Sequence, residues 1–302
     1  MRVLICDKIH SDALEFLQKK KADVLYLPEI TPPELLQKVE DVEALIVRSR
    51  TKVTVDVIEK GHALKIVARA GSGTDNIDKL AAQKYGVAVI NAPGANAQAV
   101  AELTVGLMLS LLRQIPKANK SMHEGQWLKK ELMGEEIYNK TVGIIGYGYV
   151  GKKVTALVRA FGANVQVVGS HDEEEKLLNL LKTSDIVSLH VRLNDKTRGL
   201  INNDKLSLMK PTAYLINNCR GEVVIEDDLY EALVNKKIAG AALDVFWKEP
   251  LQTPNPWMKL SNCILTPHIS GQTREASRKA CLMAAGDVVK FLQGKVINSR
   301  VI

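Results

Sequence analysis

Residues 141–168 read TVGIIGYGYVGKKVTALVRAFGANVQVV, and no other segment restricts the fold as much. The apolar run TVGII leads into Gly146-Tyr147-Gly148-Tyr149-Val150-Gly151, a G-x-G-x-x-G turn. The turn opens a helical stretch that closes on Phe161-Gly162, and a second apolar run, NVQVV, follows. Three glycines at this spacing mean little by themselves. Placed between a strand and a helix, with another strand behind, they mark a βαβ unit built to hold a dinucleotide. Gly146 permits the tight turn, Gly148 lets the backbone approach a pyrophosphate, and Gly151 lets helix and strand pack closely. The pyrophosphate is expected at the helix N-terminus, where N–H groups and the helix dipole favour an anion.

A βαβ unit implies parallel strands, and the rest of the chain repeats the pattern. Short apolar runs at 3–6, 24–26, 44–47, 66–68 and 87–90 alternate with helical patterns, as in parallel strands buried on both faces. The first helix is expected over 11–19, with Ser11 as its N-cap. Beyond the glycine turn, strands are expected at 186–190, 213–217, 240–245 and 263–266, and helices at 173–181 and 226–235. The helix at 97–114 is apolar on most sides, which predicts burial and a face available to a partner subunit; Pro116 follows its end. The last helix, 274–292, is expected to pack back on the first block. The predicted class is α/β with two Rossmann-like domains. A dinucleotide-binding domain, 94–271, is inserted into a flavodoxin-like substrate-binding domain formed by 1–93 and 272–302.

The bulk numbers narrow the function. No apolar run reaches the roughly 18 residues that cross a bilayer, and residues 1–7 read as a buried strand, not a signal peptide. A cytoplasmic protein with no membrane role is expected. The four cysteines (Cys6, Cys219, Cys263, Cys281) are far apart and form no CxxC pair, so neither a metal site nor a disulfide framework is expected. The formal charge is +7, but no basic run is interleaved with aromatics. An anionic substrate and an anionic cofactor account for the surplus better than a nucleic acid does.

Three segments in the second half carry chemistry: INNCRGEVV (216–224), AGAALDVFWKEP (239–250) and ILTPHISGQT (264–273). They place Arg220, Glu249 and His268 just after strands or in loops, where open α/β sheets bind ligands. The order glycine turn, N-x-x-R-G, D-V-F-x-x-E-P, T-P-H-I resembles the D-isomer-specific 2-hydroxyacid dehydrogenase family over nearly the whole chain. The resemblance implies an NAD(P)-dependent oxidoreductase with Arg220, Glu249 and His268 as its catalytic residues. The residue types suit that chemistry. An imidazole, with an ordinary pKa of about 6.5, takes the hydroxyl proton in oxidation and returns it in reduction. A carboxylate on its other nitrogen fixes the tautomer and stabilises the imidazolium. A guanidinium offers paired planar donors to a substrate carboxylate and polarises the carbonyl.

The resemblance also implies cofactor contacts at Tyr149, Val150, Val191, Arg192, Thr197, Asn218, Cys219, Asp244, Ser270 and Gly271. In particular, Asp244 is expected to accept from the nicotinamide carboxamide. The stretches 45–54, 68–78, 91–118 and 127–134 are most similar to the phosphoglycerate dehydrogenase branch. They imply a small, doubly anionic 2-hydroxy acid as substrate, held by Arg48, Arg69 and the N–H groups of Ser72 and Gly73. Lys129 or Lys130 would reach the phosphate across a homodimer formed through the 97–114 helix and the 120–140 segment. Arg50 stands where relatives often have a small residue, and either adds a phosphate contact or is solvated. The sequence ends at Ile302, and feedback through a C-terminal regulatory domain is not expected.

Three departures bear on the cofactor. The strand NVQVV runs into Gly169-Ser170-His171-Asp172, so Gly169 occupies the place of the acid that usually holds the ribose 2′-hydroxyl. The sequence leaves two alternatives open. Ser170 and His171 contact the 2′-phosphate of NADP, or backbone groups hold NAD, which is the cofactor expected on family grounds. Next, Glu173-Glu174-Glu175 and a helix follow almost at once, where relatives have a longer segment with another short strand, so the adenine side is expected to be more open. Arg192 replaces a proline common in the family and lies near the cofactor phosphates in that analogy. Within the family, the alternative is a glyoxylate, hydroxypyruvate or other 2-ketoacid reductase. Outside enzymes, the alternative is a dinucleotide-sensing corepressor, against which the intact trio argues.

Overall fold

In the computed structural model, which describes residues 1–302, the chain splits into two compact units. Unit 1 comprises Met1–Asn96 and Gly271–Ile302, and unit 2 comprises Ala97–Ser270. The limits expected from sequence were 93/94 and 271/272. The strands and helices of unit 1 are β1 (Arg2–Ile5), α1 (Ser11–Lys19), β2 (Asp23–Tyr26), α2 (Pro32–Lys38), β3 (Ala44–Val47), α3 (Val55–Lys60), β4 (Ile66–Arg69), α4 (Lys79–Lys84) and β5 (Ala88–Ile90). Unit 2 follows with α5 (Ala97–Leu112), α6 (Ile115–His123), β6 (Thr141–Ile145), α7 (Tyr149–Ala160), β7 (Asn164–Val168), α8 (Glu174–Thr183), β8 (Ile186–Leu189), α9 (Asn203–Leu208), β9 (Tyr214–Asn217), α10 (Glu226–Val234), β10 (Gly240–Leu243) and β11 (Cys263–Leu265). The chain then returns to unit 1 as α11 (Arg274–Leu292).

The sheet of unit 1 has the strand order β2-β1-β3-β4-β5, parallel throughout, which is the flavodoxin-like order. Successive side chains of a strand face opposite ways, so β1 sends Val3 and Ile5 to one cluster and Leu4 to the other. Leu4, Leu45 and Val67 pack with Leu35, Val57 and Ala81 of α2, α3 and α4. On the opposite face, Val3, Ile46 and Ile66 pack with Leu17 of α1 and with Ala284 and Val288 of α11. Alanines at the α11 contact let that long helix lie close to the sheet. The first helix differs from expectation in its cap. The chain is still extended at His10, whose Nδ1 accepts Asp12 N–H, and Ser11 is already helical.

The sheet of unit 2 has the order β11-β10-β9-β8-β6-β7, again parallel. The connection from β7 to α8 has no length for a further strand, which leaves β7 at the sheet edge. The helix expected over 97–114 stops at Leu112, and its face packs on β6 and α7 within the unit through residues such as Met108, Ile144 and Val154. Gln114 turns left-handed (φ 50°), and Pro116 sits in the first turn of α6 instead of merely following a helix end. Helix α9, six residues capped by Asn202, is too short to show a period in the sequence. No single helix is long and apolar enough to cross a membrane.

Candidate active site

The glycine turn leaves β6 at a topological switch point, because β7 and β8 lie on opposite sides of β6. That is where open α/β sheets bind ligands. Gly146 has φ +100°, and a Cβ there would lie 2.4 Å from the carbonyl oxygen of His190. The position therefore needs glycine both for its conformation and for the approach of β8. A Cβ on Gly151 would lie 2.0 Å from the Gly146 carbonyl oxygen, which explains how α7 can start so close to the strand end. Gly148 caps α7 with no side-chain bond and has nothing within 4 Å of its Cβ position. Nearby, Asn218 is buried, and its Oδ1 accepts no hydrogen bond, while its Nδ2 donates to Thr104 Oγ1 at 3.1 Å. An exposed helix N-terminus, an open backbone cradle and a buried acceptor without a donor all suit a phosphate-linked nucleotide carrying amide and hydroxyl donors.

Around this turn, the environments of the other residues expected at the cofactor are varied. His190, which the sequence gives no role, is neutral: burial pushes its pKa down to about 4, and its Nε2 lies 2.9 Å from Ser188 Oγ. Thr197 Oγ1 donates to the Arg192 carbonyl at 2.5 Å and accepts Asn194 N–H at 2.9 Å, so its hydroxyl is engaged in the turn that presents Val191 and Arg192. Ser170 and His171 are exposed at the end of β7. Asp172 Oδ2 accepts Gly169 N–H at 2.7 Å, an interaction the sequence did not reveal.

The catalytic candidates come from loops after three adjacent strands, β9, β10 and β11. Asn217 ends β9 and is 1% exposed. Its Oδ1 accepts Cys219 N–H at 3.2 Å, and its Nδ2 donates to the Arg220 carbonyl at 2.9 Å. That local network shapes the loop carrying Arg220, whose Nη1 donates to the Cys219 carbonyl at 2.6 Å. Cys219 is a thiol, not a thiolate, since burial pushes its pKa up to about 11. Gly221 follows because a Cβ there would lie 2.1 Å from the Phe246 carbonyl carbon. The R-G pair and the D-V-F-x-x-E-P segment are thus fitted to each other through backbone contact.

Glu249 lies in the loop after β10. Its Oε1 accepts Phe246 N–H at 3.0 Å, and its Oε2 is 2.7 Å from His268 Nδ1. Glu249 thus engages one ring nitrogen, Nδ1, and not Nε2. The hydrogen bond from Glu249 raises the His268 pKa against the opposing effect of burial, and the Arg220 charge lowers it. Burial by itself would raise the Glu249 carboxyl, but the His268 and Phe246 hydrogen bonds and the His268 and Arg220 charges hold it below its ordinary range. Arg220, Glu249 and His268 therefore share one electrostatic environment within unit 2.

Asp244 organises the loop that bears His268. It is fully buried, and its carboxylate accepts from Thr266 Oγ1 (2.6 Å), Ile269 N–H (2.8 Å) and Ser270 N–H (2.8 Å). Its carbonyl accepts His268 N–H at 2.9 Å. His268 has φ 52°, a left-handed conformation that costs a non-glycine residue about 1 kcal/mol or more. The bonds converging on Asp244 hold it there, and this is the physical content of Asp in D-V-F and Thr in T-P-H-I. Gly271 begins the return into unit 1, where its Cβ position lies 2.8 Å from Asn96 Nδ2.

The substrate candidates other than Lys129 lie in unit 1, at the carboxyl ends of its strands. Arg48 follows β3; its N–H donates to Asp7 Oδ2 and its Nη1 to the Lys8 carbonyl at 3.2 Å. Arg69 ends β4, and its guanidinium lies over Gly71, whose Cβ position is 1.5 Å from Nη1. Ser72 Oγ donates to Asn96 Oδ1 at 2.7 Å, and Asn91 Nδ2 donates to the Ser72 carbonyl at 2.6 Å, which fixes the loop carrying the Ser72 and Gly73 N–H groups. The Arg50 side chain is 46% exposed, in keeping with the solvated alternative, and it is also engaged by the protein. It pairs with buried Asp7 at 3.1 Å and donates to the carbonyls of Cys6 (2.5 Å), Pro28 (2.8 Å) and Ile30 (3.0 Å), tying the β1 and β2 loops together. Lys129 is exposed in unit 2.

Residues 105–270 match the family model described as "D-isomer specific 2-hydroxyacid dehydrogenase, NAD binding domain". A D-3-phosphoglycerate dehydrogenase of Methanocaldococcus jannaschii is 42% identical over 99% of this chain, and the alignment covers 59% of that relative. A hydroxypyruvate reductase of Thermotoga maritima is 39% identical over 96% of this chain and 98% of its own length. A crystal structure of a Thermus thermophilus protein superposes with a TM-score of 0.92 at 31% identity, covering 100% of both chains. The chain thus spans about three fifths of the length of its phosphoglycerate dehydrogenase relatives, 59% for the first two, and nearly all of the shorter reductase. The parallel α/β units, the dinucleotide turn and the three strand-end loops agree with these matches: the chain belongs to the D-isomer-specific 2-hydroxyacid dehydrogenase family, a family of oxidoreductases.

Proposed function

We propose that the protein is a D-2-hydroxyacid dehydrogenase that interconverts 3-phosphoglycerate and 3-phosphohydroxypyruvate with a nicotinamide cofactor, as in the first step of serine synthesis. One observation carries the reaction type: His268 Nδ1 is held 2.7 Å from the Glu249 carboxylate beside the Arg220 charge. A bound nicotinamide supplies the acceptor or donor of hydride. Gly146, Gly148 and Gly151 give it backbone access, with the first turn of α7, including Tyr149 and Val150, at the pyrophosphate. Val191, Arg192, Thr197, Asn218, Cys219, Ser270 and Gly271 would contact it, and Asp244, with three donors already on its carboxylate, would have an acceptor direction left for the carboxamide. His268 Nε2 takes the hydroxyl proton in oxidation and returns it in reduction. Glu249 keeps the proton on Nδ1 and steadies the imidazolium. Arg220 grips the substrate carboxylate and polarises the carbonyl oxygen.

The substrate rests on separate support. Arg48 and Arg69 stand at neighbouring strand ends of one sheet, and with the Ser72 and Gly73 N–H groups they suit two anionic groups on one small molecule. Relatives named for phosphoglycerate point the same way. A second reading, hydroxypyruvate reduction, is favoured by the Thermotoga maritima relative named for that activity, 39% identical over 96% of this chain. Steady-state assays with 3-phosphoglycerate, glycerate, hydroxypyruvate and glyoxylate separate the two. A kcat/KM for glyoxylate or hydroxypyruvate well above that for the phosphorylated pair would reject the phosphoglycerate reading. Dinucleotide binding without turnover on any of these acids would favour a sensor.

The functional unit is a homodimer in this proposal. Helix α5 is mostly buried within unit 2, but Met122, Trp127, Met133 and Tyr138 are 56%, 76%, 83% and 61% exposed, and Lys129 lies among them. A second copy would cover these side chains. Sedimentation should give twice 33.2 kDa for the chain and close to the monomer mass for Trp127→Glu/Met133→Glu.

The Glu249 hydrogen bond has a sign that kinetics can read. It raises the His268 pKa, so the imidazolium needed for keto-acid reduction persists to higher pH than in a bare histidine. Reduction should weaken as pH rises through that pKa, and oxidation should strengthen. In Glu249→Gln the break should move to lower pH in both directions, with kcat down roughly tenfold, the scale of one hydrogen bond to a charged group. An unmoved break would separate Glu249 from the proton transfer.

A further inference from the structure

Gly169 leaves the end of β7 without the carboxylate that usually receives the adenosine ribose, yet the fold brings one to the same place. Asp172 stands three residues later, and the segment turns back so that its Oδ2 accepts Gly169 N–H at 2.7 Å. A Cβ built on Gly169 would lie 3.6 Å from that oxygen. The carboxylate therefore sits beside the space a strand-end side chain would fill. Its other oxygen receives Lys176 Nζ at 2.8 Å, from the first turn of α8. The neighbouring strand end is the phosphate turn itself, since Gly146 N–H donates to the Val168 carbonyl at 2.7 Å. Cradle and carboxylate thus occupy adjacent strands, which run roughly 4.8 Å apart in a sheet.

We propose that Asp172 is the acceptor for the adenosine ribose hydroxyls and that it makes this chain select NAD(H) over NADP(H). The proposal rests on the dinucleotide reading of unit 2 given above. An ionised carboxylate offers about four acceptor directions. Gly169 N–H and Lys176 use two of them, which leaves acceptors for a vicinal diol. The Gly169 N–H bond, then the Lys176 bond, hold the carboxyl below its ordinary range, so it is charged at neutral pH. A 2′-phosphate would meet that charge and those beside it. Between 171 and 176, Asp172, Glu173, Glu174 and Glu175 face one lysine, so carboxylates are in clear excess. Lys205 offsets part of this by pairing with Glu174 at 3.5 Å. The excess still opposes a second anion.

The test is a fluorescence titration of NADH and NADPH into the full chain and into Asp172→Ala, Asp172→Glu and Lys176→Met, with thermal melting to verify folding. The unaltered chain should bind NADH more tightly. Asp172→Ala should weaken NADH by roughly tenfold or more, the scale of hydrogen bonds to a charged acceptor, and weaken NADPH less or not at all. Asp172→Glu should recover part of the NADH affinity. Tighter NADPH binding by the unaltered chain, or an NADH/NADPH ratio unchanged in Asp172→Ala, would overturn the proposal, as would NADPH binding lost selectively in Lys176→Met. Failure of both dinucleotides to bind the unaltered chain would instead remove the dinucleotide reading beneath it.

Discussion

Replacing His268 with glutamine should lower kcat/KM for the 2-hydroxy acid by roughly a thousandfold while leaving NADH affinity near its original value, because general acid–base groups contribute about 10²–10⁴. The size follows from the arrangement of the loop. His268 is fixed by its backbone bond to Asp244 and its Nδ1 bond to Glu249, so no rotation is needed to present Nε2. Glutamine retains a polar group of similar reach but has no basic nitrogen, so the proton must come from or go to water. The same substitution should remove the pH break assigned to this group. Stopped-flow turnover at several pH values, with a parallel NADH titration, reads both effects. A histidine that merely packs would leave the rate within a few-fold and the pH profile unchanged.

Arg220→Met should cost as much or more, roughly 10³–10⁴ in kcat/KM, since in the proposed mechanism one side chain supplies both a charge-assisted grip on the carboxylate and a donor to the carbonyl oxygen where charge develops. Loss of the grip should raise KM, and loss of the donor should lower kcat, so the two constants move together. Arg220→Lys should recover only part, because an ammonium cannot reproduce two parallel donors. Arg220 is also the cation that lowers the His268 pKa. Its removal should therefore move the pH break upward, opposite to the shift expected for Glu249→Gln. A raised KM with unchanged kcat would confine Arg220 to binding.

The sequence made the site legible wherever a motif letter has a local physical duty. Asn217, Arg220 and Gly221 are spaced as they are because Asn217 bonds the Arg220 carbonyl and Gly221 lies on Phe246. Asp244 and Thr266, from two different motifs, are tied to each other because the Thr266 hydroxyl donates to the Asp244 carboxylate at 2.6 Å. The short apolar strands are equally legible, since burial on both faces leaves an unbroken run. What escaped notice depended on tertiary contact or on turns. Arg50 reads as a surface charge until buried Asp7 and three carbonyls are found around it. Asp172 lies at the wrong spacing for a strand-end acid, and only the turn that folds it onto Gly169 reveals its position. The His10 cap and the six-residue α9 carry too little periodicity or cap preference to be read in advance.

The proposed hydride chemistry of Arg220, Glu249 and His268 takes place at a carbon next to a carboxylate. Its most direct test is a single turnover of a 2-hydroxy acid deuterated at the hydroxyl-bearing carbon, with the nicotinamide product analysed by NMR. The account predicts deuterium on the nicotinamide ring with the unaltered chain, and a transfer rate lower by roughly a thousandfold with His268→Gln. Absence of deuterium transfer to the nicotinamide from any D-2-hydroxy acid, or equal rates in the two proteins, would contradict it.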